Sequence, residues 1–176
     1  MFRLITSAML LVAANFALAV TSSNFTVEGT ITAASCKVSV DGGGVVELPK
    51  KPRKLLASAG DTTGKTGFKI ELEKCPAGSK IYFQQDLGTV NSAGRLLNTS
   101  TAGAGYRAEN VDLEILNADG GSMNLAAGSG LQNGSSADSA STADNIIYSF
   151  FVQYYATGAA TVGEVKSSIT FIVESF

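Results

Sequence analysis

Phe68-Lys69-Ile70-Glu71-Leu72-Glu73-Lys74-Cys75 alternates apolar with charged side chains for six residues and then reaches a cysteine. Successive side chains of an extended chain point to opposite faces, so this stretch reads as a strand with one dry and one wet face. The same period of two recurs downstream. Val111, Leu113 and Ile115 alternate with Asp112 and Glu114, whose carboxylates are expected in water. Residues 146–156 put Tyr148, Phe150, Val152 and Tyr154 on one face and Ser149, Phe151, Gln153 and Tyr155 on the other, a strand expected to be buried on much of both sides. Near the C-terminus Ile169, Phe171 and Val173 alternate with Thr170, Ile172 and Glu174. Turn formers lie between the runs: Asp41-Gly42-Gly43-Gly44, Ala59-Gly60-Asp61, Asp119-Gly120-Gly121 and Thr157-Gly158. Short strands punctuated in this way predict an all-β sandwich, and no helical period persists long enough to compete. Residues 117–144 are rich in Gly, Ser, Ala, Asn and Asp, with Met123, Leu125 and Leu131 as anchors. A short strand at 123–125 followed by a long surface loop is expected there.

The first residues have the order of an export signal. Arg3 is followed by an apolar stretch over 4–14, too short to span a membrane, and then by the small residues of Ala17-Leu18-Ala19. Cleavage after Ala19 leaves residues 20–176, the size of one domain. The cut removes Arg3 alone, which takes the net charge of −2 to −3 and argues against nucleic acid as a partner. In an exported chain Cys36 and Cys75 are expected to pair. A catalytic thiol would need a base, and the sequence contains no histidine. That also removes His-dependent triads and most zinc sites, so no catalytic residue, metal or cofactor is expected. Glu71 with Glu73, or Asp112 with Glu114, has the look of a hydrolase carboxylate pair. Both pairs stand at i, i+2 on faces read as wet, so solvated surface is the better account. The run Lys50-Lys51-Pro52-Arg53-Lys54 is either a contact patch for an acidic partner or a solvated loop, and Pro49 and Pro52 favour the loop.

Ahead of the first cysteine, Phe25, Val27, Gly29 and Ile31 share one face of an extended segment and Thr26, Glu28 and Thr30 the other. A glycine in a strand face weakens the strand unless something must approach closely there. The stretch Phe25-Thr26-Val27-Glu28-Gly29-Thr30-Ile31-Thr32-Ala33-Ala34-Ser35-Cys36-Lys37-Val38 resembles the start of the type 1 and P-type pilins of chaperone–usher fimbriae. Those carry an alternating apolar arm with one glycine seven positions before the first cysteine. Phe68-Lys69-Ile70-Glu71-Leu72-Glu73-Lys74-Cys75-Pro76 resembles their second-cysteine strand. Residues 151–158 with 160–163 resemble the penultimate strand and its turn, and 169–173 the last strand. The family has a tyrosine next to last, where this chain has Ser175 before Phe176.

The resemblance implies an incomplete immunoglobulin-like β-sandwich, completed by a donor strand from a neighbouring subunit. It implies a signal peptide at 1–19, an arm at 20–34 and a pilin domain at 35–176. The arm would donate Phe25, Val27, Gly29 and Ile31. Phe171, Val173 and Phe176 would form the groove edge and contact a periplasmic chaperone. Subunits would pass through the periplasm and an outer-membrane usher into a head-to-tail surface fimbria that supports adhesion. A minor adaptor or a carbohydrate-binding tip pilin is the alternative, with Tyr106, Tyr154 and Tyr155 as candidates for stacking on sugar.

Overall fold

In the computed structural model the 68–73 stretch becomes the second half of β2 (Thr62–Glu73), which lies beside β6 (Asn145–Ala156) over its whole length. The structure describes residues 36–86, 88–103, 105–128, 132, 142 and 144–174. All belong to the second of two compact units, 33–176. The first unit, 1–32, lies outside the described residues, and with it the signal peptide expected at 1–19 and Phe25, Val27, Gly29 and Ile31; so do Leu131 and Phe176.

Among the described residues seven strands form two antiparallel sheets. The larger has the order β1 (Lys37–Val40), β2, β6, β5 (Val111–Leu116), β4 (Leu96–Leu97). The smaller pairs β3 (Lys80–Phe83) with β7 (Phe171–Glu174). Inward residues of both sheets meet around Phe150, which is 1% exposed. Its ring stacks on Phe68 of β2 at 5.4 Å and meets Phe83 of β3 edge-on at 5.2 Å. Such pairs contribute about 0.5–1.5 kcal/mol beyond the area they bury. Nearly all-β and incomplete at one side, the domain is an open immunoglobulin-like sandwich.

Two local devices shape that opening. After Val40 pairs with Ile70, the chain leaves β2 through Asp41–Gly44, where Gly42, Gly43 and Gly44 all have positive φ, the backbone that glycine adopts without strain. The Asp41 carboxylate accepts a hydrogen bond from the Lys69 N–H (3.0 Å) just where the ladder stops. Residues 45–50 then continue extended, with Val46 and Leu48 packed against the core and Val45 and Glu47 exposed. In β2 a register shift between Thr63 and Thr66 accommodates Gly64 (φ +75°), over which the Tyr154 ring lies closely enough that a Cβ would sit 2.9 Å from it.

The structure corrects two expectations. No strand forms at 123–125: the Met123 N–H goes to the Ile115 carbonyl (2.9 Å) and that of Leu125 to Gly94 (3.2 Å), two unrelated partners. Both side chains are nevertheless core residues. Asp112 and Glu114 are not in water. All six residues of β5 are buried, because segments at 91–95 and 117–122 cover its second face. Asp112 accepts from Asn91 Nδ2 (2.8 Å) and faces Arg95 Nε at 3.5 Å. Glu114 accepts from Ser122 Oγ and Gln153 Nε2, both at 2.8 Å. Partners replace the water that these carboxylates give up.

Candidate functional site

The smaller sheet is closed along one edge and open along the other. On the β3 side the Gln132 side chain imitates a strand: its Oε1 accepts from the Phe83 N–H (2.9 Å) and its Nε2 donates to the Phe83 carbonyl (2.6 Å). On the far side of β7 no strand is paired among the described residues. Facing it across a trough is the 45–50 segment, which likewise takes part in no ladder there. Among the described residues, two edges without a ladder on their trough side thus flank one apolar floor. An edge of this kind is a template for another strand.

The trough has two compartments. The first, ≈ 250 Å³, has Val40, Val46 and Leu48 on one wall and Ser167, Ile169 and Phe171 on the other. Its floor comes from inward residues of five strands, among them Phe68, Ile70, Leu113 and Val152, and no charged side chain among the described residues lines it. The second, ≈ 170 Å³, continues the same walls: Lys50, Lys51 and Arg53 follow Leu48, and residues 160–163 and 165 precede Ser167. Val111 and Tyr154 are its floor, one step along β5 and β6 from Leu113 and Val152. Tyr154 and Val165 pack against the hydrophobic clusters beneath both compartments and so mark the boundary. Burial pushes the Tyr154 hydroxyl above its ordinary pKa. The end of the second compartment is held by Gly163 (φ +156°), where a Cβ would overlap the backbone of Arg107 and Ala108.

One wall atom is unsatisfied. Ser167 Oγ is buried without a hydrogen-bond partner, on a residue that lines the first compartment. A buried hydroxyl left unpaired costs about 1–3 kcal/mol.

Of the residues that the sequence singles out, Phe171 lines the first compartment, while Val173 packs against the core farther along β7. Cys36 and Cys75 are bonded to each other and join the start of β1 to the end of β2. The three tyrosines are not brought together. Tyr106 is 75% exposed in a loop, Tyr154 faces the trough, and Tyr155 points the other way beneath the Arg95 guanidinium at 3.9 Å. Ile169, on the same alternation as Phe171, also lines the trough, as do Val46 and Leu48, whose signal in the sequence is a two-residue alternation just ahead of Pro49.

Comparison with known proteins gives consistent results. The model of the family described as fimbrial protein matches residues 25–174. The major fimbrial subunit SMF-1 of Stenotrophomonas maltophilia is 36% identical over 169 residues, covering 93% of this chain and 98% of that protein. The F17 fimbrial protein of Escherichia coli is 34% identical over 158 residues, covering 84% of each. Among solved structures, the P pilus rod subunit PapA superposes with a TM-score of 0.57 at 16% identity, covering 88% of this chain and all of that one. That likeness speaks to the fold.

Proposed function

Given that this chain belongs to the fimbrial protein family and is a structural subunit of a surface fimbria, we propose that it polymerises by donor-strand exchange, its 20–34 arm filling the trough of a neighbouring copy. The trough supports this reading most directly: two unpaired edges over an uncharged apolar floor are what an added strand with one apolar face completes. Phe25, Val27 and Ile31 would face the floor, and burying three such side chains is worth roughly 5–9 kcal/mol before ordering costs. Each ladder hydrogen bond adds about 0.5–1.5 kcal/mol. Gly29 would pass where the trough leaves no room for a side chain. The contact is heterologous and does not close, so its product is a filament.

Before assembly the same opening needs a cover. A periplasmic chaperone strand laid along β7, with Phe171, Val173 and the Phe176 carboxylate as its contacts, would supply one until an outer-membrane usher exchanges it for the arm. The role is structural and not catalytic.

The test is Gly29→Leu together with deletion of residues 20–29. Both variants are expected to be recovered as soluble chaperone-bound monomers and to give no heat-resistant ladder of multimers on gels of cell-surface extracts. A normal ladder from either variant would sink the donor-strand assignment.

A further inference from the structure

The second compartment is charged on its rim, and the charge has a counterpart elsewhere in the sequence. Lys50, Lys51 and Arg53 line the compartment, Lys54 follows them, and Lys166 stands on the facing wall; all are exposed. None of the five forms an ion pair among the described residues. Only Glu47 and Glu164 oppose them on the two wall segments, so the rim keeps an excess of three positive charges. The whole chain is acidic, which makes this local excess informative about a partner. The arm at 20–34 carries one charged side chain, Glu28.

We propose that the basic rim of the second compartment receives Glu28 of the arm of another copy of this chain, steering the arm into the trough and fixing its register. The proposal rests on the donor-strand reading and deepens it, since it assigns a recognition element to that same site. An arm with Phe25, Val27 and Ile31 on the floor turns Glu28 toward the opening. Lys51 has the same parity as exposed Val45 and Glu47, and exposed Lys166 stands between half-buried Val165 and Ser167, so both cations flank that opening. The walls run in opposite directions, because β1 runs away from the disulfide end and β7 runs toward it. An arm antiparallel to β7 therefore emerges at the second compartment, and its own domain follows the acceptor end to end. Ile31 then falls in the second compartment and Glu28, three residues or about 10 Å back along an extended strand, lies at its inner margin. The unpartnered Ser167 Oγ stands at the same margin, where an inserted strand brings hydrogen-bonding groups.

An exposed charge contact of this kind acts chiefly on the rate of association and on its salt dependence. The test is strand exchange on the full-length subunit purified with its periplasmic chaperone, challenged with synthetic peptides of residues 20–35 and followed by native gel. At low salt the natural peptide should displace the chaperone several-fold faster than a Glu28→Gln peptide and about tenfold faster than a Glu28→Lys peptide. The differences should vanish near 1 M salt, where the screening length is about 3 Å. A Lys50→Glu, Lys51→Glu, Arg53→Glu subunit should reverse the preference. Equal rates for the three peptides at low salt would overturn the rim assignment and leave donor-strand exchange standing. If a Gly29→Leu peptide inserts as fast as the natural one, or no peptide inserts, the donor-strand reading fails and takes the rim assignment with it.

Discussion

Asp112 shows how a residue in a strand gains its meaning from what covers it. Its carboxylate is 6% exposed, held by Asn91 and Arg95, and the Arg95 guanidinium in turn lies over the Tyr155 ring. Removing one member of a buried ion pair strands the other charge in a medium that solvates it poorly, a loss of about 3–5 kcal/mol. Asp112→Ala is therefore expected to lower the urea-unfolding free energy of the mature subunit by about 3 kcal/mol, and Asp112→Asn by clearly less, because the amide oxygen still accepts a hydrogen bond. An exposed lysine substitution such as Lys54→Ala should leave the midpoint within about 0.5 kcal/mol. If Asp112→Ala behaves like Lys54→Ala, the carboxylate is solvated after all. In sequence Asp112 and Glu114 look the same as Glu71 and Glu73, which are only half-buried. Alternation tells which residues share a face but not whether a distant loop lies over that face.

Among the described elements that flank the trough, β7 has no ladder on its trough side and the 45–50 segment takes part in none, whereas β6 lies between β2 and β5. Backbone amides exchange with solvent at a rate set by their local opening. In hydrogen exchange on the monomer, peptides over 45–50 and 165–173 should label within the earliest time points, and those over 146–156 should label last. In assembled fibres the first two groups should become protected, and the change should be small elsewhere. Uniform protection in the monomer would mean that these edges are already paired. The strands at 68–73, 111–116, 146–156 and 171–174 were legible from period two alone, and the cysteine pair from their context. The opening was legible only through family resemblance, because it depends on how Asp41–Gly44 redirects the chain between layers. Composition marks that stretch as a turn and gives no direction. Gln132 was invisible for a related reason: a lone amide in a polar stretch acquires its role only from the Phe83 backbone beside it.

At the scale of the whole molecule, a filament joined through arms as proposed would transmit any pull into each domain at Cys36, and the bond from Cys36 to Cys75 decides where that pull goes next. It closes a loop of 39 residues, which in the chain-entropy model contributes about 4 kcal/mol against unfolding. Its mechanical consequence is more specific. Tension crosses from Cys36 to Cys75 through sulfur, so residues 37–74 are bypassed and cannot be stretched while the bond is intact. Single-molecule extension of a reduced or Cys36→Ser, Cys75→Ser filament should release about 130 Å more contour length per unfolded domain than the oxidised one. Equal lengths would show that the bond is absent in the fibre. The bypassed stretch contains the whole 40–53 wall of the trough, so a pull on an arm seated there as proposed would load that wall without drawing it out as extended chain while the bond is intact.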